Sequence, residues 1–204
     1  MYIVRRRPRR GRLSFAAFCL AVALAAFWLP AWAQYQAGLD AFNRGEYATA
    51  FREFKTLAEQ GDVSAQFLIG AMYAEGEGVA RDYGEALSWF LKAAEQGSAQ
   101  GQFGLAALYD QGTGVQVDIA EALKWYRKSA MQGYDRAMLN LGALYKTGSG
   151  VPQDYVLAHM WYNLAAARGN EKAEKNREIL ENRMTPEQIA EAQRFAREWR
   201  PETE

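Results

Sequence analysis

The chain has 204 residues, 24 Lys plus Arg against 24 Asp plus Glu, and one cysteine. The balance hides a segregation. Arg5, Arg6, Arg7, Arg9, Arg10 and Arg12 all precede the first acidic residue, Asp40, and without them 18 basic residues face 24 acidic ones, a net of −6. That sign disfavours nucleic acid, where cationic side chains must replace counterions, and the length suits one sizeable core or a short repeat array.

The first 33 residues read as a secretory signal peptide. The arginines precede an apolar run from Leu13 to Leu29, broken only by Ser14; Pro30 then stops any helix, and Ala31-Trp32-Ala33 supplies a small-x-small site. Cleavage is expected between Ala33 and Gln34, giving a chain exported to the periplasm or secreted. The competing reading is an uncleaved anchor, but seventeen residues at ~1.5 Å each reach roughly 25 Å, short of a ~30 Å hydrocarbon core. Cys19 lies inside the apolar run without the small neighbours of a lipidation site. It leaves with the leader, so the mature chain has no thiol and no disulfide.

Self-similarity dominates the middle of the chain. Residues 62–97, 98–133 and 134–169 align without a gap as 36-residue units. Tyr73, Tyr109 and Tyr145 coincide, as do the glycine pairs Gly76/Gly78, Gly112/Gly114 and Gly148/Gly150, each followed by valine. Asp82, Asp118 and Asp154 coincide, and so do Trp89, Trp125 and Trp161. Each unit predicts two helices. Ala65, Ile69, Met72 and Tyr73 form one apolar stripe at helical spacing, and Ala86, Trp89, Phe90, Ala93 and Ala94 form another. The glycine pair marks the reversal between them. Each aspartate is placed to cap the second helix, with Glu85 and Glu121 three residues on and Leu157 in the third unit. A helix pair this short cannot bury its own apolar face, so stacking into a solenoid with one continuous core is expected.

Beyond Gly169 the pattern weakens. Residues 170–183 read as a charged helix. Thr185-Pro186-Glu187-Gln188 is a helix start with cap, first-turn proline and capping-box glutamine, and Ile189, Ala192, Phe195, Ala196 and Trp199 form a last stripe. Residues 170–204 are thus expected to cap the array.

Chemical motifs carry little weight here. The G-x-G pairs have no preceding strand and no following G-K-[ST], so they read as turns rather than phosphate loops. His159 is the single histidine and stands where Leu87 and Leu123 stand in the other units, which predicts packing rather than catalysis or metal binding. The repeated aspartates read as caps, not as a carboxylate pair for hydrolysis. A non-enzyme without cofactor or metal is expected.

The run Ala-Gln-Phe-Leu-Ile-Gly-Ala-Met-Tyr (65–73), Gly-Glu-Gly-Val (76–79), Asp-Tyr (82–83) and Trp-Phe-Leu-Lys-Ala-Ala-Glu-Gln-Gly (89–97) resembles the Sel-one-like repeat (SLR), a branch of the tetratricopeptide superfamily. Residues 34–61 resemble a shorter tetratricopeptide unit through Gly38, Gly45, Tyr47, Ala50 and Phe54. The resemblance implies an all-α, right-handed α/α superhelical solenoid that binds proteins. Some exported members are periplasmic regulators or envelope scaffolds. Cysteine-rich relatives that bind or hydrolyse β-lactams suggest an enzyme as the alternative, but they carry a disulfide in each repeat and this chain has none after cleavage.

In such arrays the first helix of each unit lines the concave side. By register this implies Phe67, Ala71 and Glu75, then Phe103, Ala107, Asp110 and Gln111, then Arg136, Leu139, Ala143 and Lys146, with Tyr35, Leu39 and Phe42 extending the surface at the amino end. Phe67 and Phe103 read equally as structural residues or as binding anchors. The alanines leave room for a peptide or helix, and charge grades from Glu75 and Asp110 to Arg136 and Lys146. The expected ligand is a protein or peptide, with no nucleic acid, no membrane after cleavage and no small molecule. The competing reading puts contact on the convex side or at the cap.

Overall fold

The structure, a computed structural model, describes residues 31–201. Most of the predicted leader lies outside them. The described residues form ten helices and no strand. Helices α1 (Ala31–Asn43) and α2 (Tyr47–Glu59) make the amino-terminal pair. The three repeats contribute α3 (Val63–Glu75) with α4 (Tyr83–Glu95), α5 (Ala99–Gln111) with α6 (Ile119–Met131), and α7 (Asp135–Thr147) with α8 (Tyr155–Ala166). Helices α9 (Glu171–Glu181) and α10 (Pro186–Glu198) close the array by packing on α8. Among the described residues no helix is long and apolar enough to cross a membrane.

The turns follow from the repeated residues. Gly76, Gly112 and Gly148 end the first helices in the left-handed conformation, at φ 76°, 66° and 76°, where a side chain is strained. Gly78 and Gly114 do something further, because a Cβ on either would overlap the first turn of the preceding unit's second helix, at Tyr47–Ala48 and at Tyr83. The glycine pair therefore sets the spacing between units as well as the turn.

The aspartates cap as expected. Asp82 Oδ1 accepts from the Gly84 and Glu85 amides at 2.9 and 3.0 Å, Asp118 from Glu121 at 3.0 Å, and Asp154 from Leu157 at 2.9 Å. Their own amides donate to the carbonyls of Tyr73, Tyr109 and Tyr145 at 2.9–3.0 Å. Those bonds occupy the N–H that a reciprocal capping glutamate would use. Glu85 instead accepts from Trp89 Nε1 at 3.2 Å, and Glu121 pairs with Lys124 at 3.0 Å. At Thr185 the full box forms, with bonds of 2.9 and 3.3 Å to Gln188.

The buried apolar residues form two clusters rather than one continuous core. Ala41, Phe54, Ile69, Met72 and Trp89 belong to the amino-terminal cluster, and Phe90 through Leu180 belong to the larger one, with Tyr73 packed against both. Gly70 lies at this seam, its would-be Cβ 2.6 Å from the Phe90 ring, so backbone meets ring where a side chain would otherwise bridge. Trp89 and Trp125 are covered from outside by Lys92 at 3.8 Å and Lys128 at 4.4 Å. The third unit has Leu164 at that position, and Trp199 of the cap packs edge-on to Trp161 at 6.4 Å instead.

Two glutamine links tie neighbouring turns. Gln96 donates to Gln66 at 2.7 Å and Gln132 to Gln102 at 2.8 Å, while Gln66 and Gln102, both buried, donate to the carbonyls of Ala58 and Ala94. These bonds satisfy amides that burial would otherwise leave costly.

Candidate functional site: the first-helix face

Helices α3, α5, α7 and α9 start at Val63, Ala99, Asp135 and Glu171, each 36 residues after the last. Residues at one register position therefore line up across the face. Phe67, Phe103, Leu139 and Lys175 share one position, and Ala71, Ala107, Ala143 and Ile179 share the position one turn further on. The apolar side of each helix, marked by the buried Met72, Leu108, Leu144 and Leu180, faces the second helices. Helices α3 and α5 also touch each other directly.

Four adjoining cavities run along this face. The first, about 340 Å³, is lined by Phe67, Ala71 and Glu75 of α3, Phe103, Ala107 and Gln111 of α5, and Arg81, Tyr83, Tyr134 and Arg136 around its edge. The second, about 580 Å³, shares Phe103 and Arg136 with it and continues over Leu139, Asn140 and Lys172. The third, about 480 Å³, shares those last three residues and adds Ala143, Lys175, Asn176 and Ile179. The fourth, about 420 Å³, shares Ile179 and ends at Lys146 and Arg183. Small alanines between larger side chains make the depth, because a Cβ methyl leaves the neighbouring helix uncovered.

Most of the residues named from sequence come together here. Phe67, Glu75, Phe103, Gln111, Arg136, Leu139 and Lys146 all line the cavities. Phe67 and Phe103 are half-buried and also pack inward, against Phe90 at 5.9 Å and Tyr126 at 5.8 Å. Tyr35, Leu39 and Phe42 are not among the lining residues. They pack against the amino-terminal cluster, Tyr35 on Phe54 at 5.6 Å and Phe42 on Tyr47 at 5.1 Å.

Asp110 also lies off the lining. Half-buried, it accepts a bond from Tyr126 Oη at 3.3 Å, and Tyr126 Oη accepts from Asn140 Nδ2 at 2.8 Å. This network joins α5, α6 and α7 below the groove. Burial first, and the nearby Asp110 second, push the Tyr126 hydroxyl well above the usual phenol range, so it stays a neutral donor. The expected charge gradient therefore begins at Glu75 alone, because the carboxylate of Asp110 is turned to an internal partner.

His159 is buried, and its Nε2 lies 2.9 Å from Glu181 Oε1, which places it as a tie between α8 and α9. Among the described residues no group of three or more His, Cys, Asp or Glu side chains is placed to hold a metal ion.

Sequence reasoning missed the wall supplied by Lys172, Lys175, Asn176 and Ile179 of α9 and by Arg183 just past its end. The signal was present, because Ala173 and Leu180 continue the 36-residue period of Ala65, Ala137, Met72 and Leu144, and all six are buried. High local charge in residues 170–183 concealed the two apolar positions.

These features define an α-solenoid of helix-turn-helix units whose surface is a row of first helices. The Sel1 repeat family model matches residues 63–98, 99–134 and 135–170, one residue later in phase than units that start at Asp62, Ser98 and Tyr134. The chain belongs to the Sel1 repeat family. It is similar to the crystal structure of a Sel1 repeat protein from Oxalobacter formigenes, at 36% identity and TM-score 0.67, covering 72% of this chain and 58% of that one. It is also similar to c5321, a protective antigen of uropathogenic Escherichia coli strains with an SLR fold, at 27% identity and TM-score 0.59, covering 92% of this chain and 49% of that one. The chain thus spans about half the length of these structures. No curated protein matches it. Sel1 repeats generally mediate protein–protein interaction, and the fold here is of that type.

Proposed function

We propose that this chain is an exported, non-catalytic scaffold or regulator of the bacterial periplasm or cell envelope, which binds a segment of another protein along its first-helix face. The observation that carries the reading is the continuity of the groove. Four cavities joined by shared residues run from Glu75 to Arg183 across four helices of equal register. A trough floored by Ala71, Ala107 and Ala143 and edged by Phe67, Phe103 and Leu139 has the shape and chemistry that extended or helical segments use when they dock.

Export is supported by the order of basic region, apolar run and Ala31-Trp32-Ala33. Cleavage before Gln34 would also spare the amino-terminal packing. Cleavage there removes Ala31–Ala33 from the start of α1, where Trp32 is 72% exposed, and leaves Tyr35, which among the described residues is the first hydrophobic side chain packed against the amino-terminal cluster. Intact mass of the protein purified from cell envelopes tests this: a chain beginning at Gln34 agrees, and one retaining Met1–Ala33 points to an anchor.

Binding is tested by capture from envelope extracts with Arg136→Glu/Lys146→Glu and with Leu139→Ala. Both should lose the partner while keeping helical content; the charge reversal should also keep melting, whereas Leu139, half-buried against the core, lowers it somewhat when truncated. Capture that survives both changes moves the contact to the convex side or the cap.

A further inference from the structure

The two ends of the groove differ in charge. At the α3–α5 end Glu75 and Arg81 sit together. At the α7–α9 end the trough is edged by Lys146, Lys172, Lys175 and Arg183; Asp135 and Glu171 line it only at the end nearer Arg136, and no described carboxylate lies within ion-pair distance of any of the four cations. Outside the arginine-rich leader the chain is acidic, so this cluster runs against the charge of the body that carries it. In the middle of the cluster Ile179 is 62% exposed, an isoleucine where the other first helices have alanine. Unpaired cations around an exposed β-branched side chain match a ligand of opposite charge with an apolar contact at its centre.

We infer that the α7–α9 trough takes an acidic segment of a partner protein, anchored by one apolar side chain on Ile179, Leu139 and Ala143 and held by carboxylates on Lys172, Lys175 and Lys146. The inference rests on the reading of the first-helix face as the binding surface and names the chemistry of its partner. From Arg136 to Lys146 the trough runs about 15 Å at ~1.5 Å per residue. That length fits roughly three turns of helix or about five extended residues. A trough between two helices fits a chain segment better than the plane of a lipid bilayer, which would meet its rims and leave Leu139 and Ala143 uncovered.

Fluorescence anisotropy tests the inference with the whole mature chain and a fluorescein-labelled ten-residue peptide carrying one leucine between glutamates. The controls are the same peptide with lysine for each glutamate and the same peptide with serine for the leucine. The acidic leucine peptide should bind best and weaken as salt rises. Lys172→Glu/Lys175→Glu should weaken it by about tenfold or more and turn the preference toward the lysine peptide, and Ile179→Ser should remove the advantage of leucine over serine. Equal binding of acidic and basic peptides, or indifference to the double reversal, overturns the inference. So does binding to phosphatidylglycerol vesicles that is lost in the double reversal, or a dimer in sedimentation that Ile179→Ser dissolves. The two readings fail separately: if envelope capture is lost in Leu139→Ala but not in Lys172→Glu/Lys175→Glu, the groove stands and its acidic specificity falls, whereas capture that survives all of these changes sinks the groove itself.

Discussion

Replacing Gly78 by alanine should weaken the array more than replacing Gly61, although both residues have positive φ, 73° and 94°. Either substitution puts a Cβ on a left-handed backbone, a strain of about 1 kcal/mol. At Gly61 nothing else lies within 4 Å of the added atom. At Gly78 it would overlap the Tyr47 carbonyl and lie 2.8 Å from the Ala48 amide nitrogen. Those atoms are backbone in the first turn of α2 and cannot rotate away, so the units must separate, at a further cost of about 1–3 kcal/mol. For a domain of this size about 1 kcal/mol lowers Tm by roughly 2–4 °C. Circular dichroism melts should therefore show Gly61→Ala lower by about 2–4 °C and Gly78→Ala lower by about 5–15 °C. Equal shifts would refute the reasoning, because the second glycine would then be only a turn residue and the spacing of units would have another cause.

Other changes have expected outcomes. Gly112→Val should cost on the order of 1–3 kcal/mol or more, and Gly148→Val less, since the added Cβ meets Val117 at 2.5 Å in the first case and Gln153 at 3.3 Å in the second; urea melts of the two variants give the order. His159→Leu should cost about 1 kcal/mol through loss of the Glu181 bond, while envelope capture is unchanged; a bound metal lost in that variant would overturn the structural role. Tyr162 Oη is buried without a partner, and burial pushes its hydroxyl up to about 12. The unfolded value is lower, ~10, so stability is present below pH ~10 and lost as pH rises toward 12. Tyr162→Phe should melt at the same or a higher temperature at neutral pH and lose less between pH 10 and 12 than the parent, whereas Tyr126→Phe should lose about 1 kcal/mol with its bonds to Asp110 and Asn140.

The repeat makes much of the fold legible in the amino-acid sequence. Threefold recurrence of the Gly76, Asp82 and Trp89 positions fixes helix ends and helix starts, because left-handed turns and exposed N-termini accept few residue types. The groove is legible for the same reason, since register carries Phe67 onto Phe103 and Leu139. Two things are not. The buried bonds of Gln66, Gln102 and His159 depend on partners 30, 30 and 22 residues away, Gln96, Gln132 and Glu181, and no local pattern marks such pairs. The wall from α9 is hidden because its exposed face is charged, and charge alone reads as a solvated helix. Asp110 fails differently. Register places it on a surface helix, but the hydroxyl of Tyr126 draws it inward, and the equivalent residue of the first unit, Phe90, has no such hydroxyl to reveal the pairing.

The most direct test of binding along the first-helix face is site-specific photo-cross-linking in the envelope. A photoreactive residue at Ala107 or Ala143 would lie in the groove, and one at Ser88 or Lys124 would lie on exposed second-helix positions. The account predicts a cross-linked partner from Ala107 and Ala143 that disappears in Arg136→Glu/Lys146→Glu, and none from the other pair. Cross-links confined to Ser88 and Lys124 would contradict it.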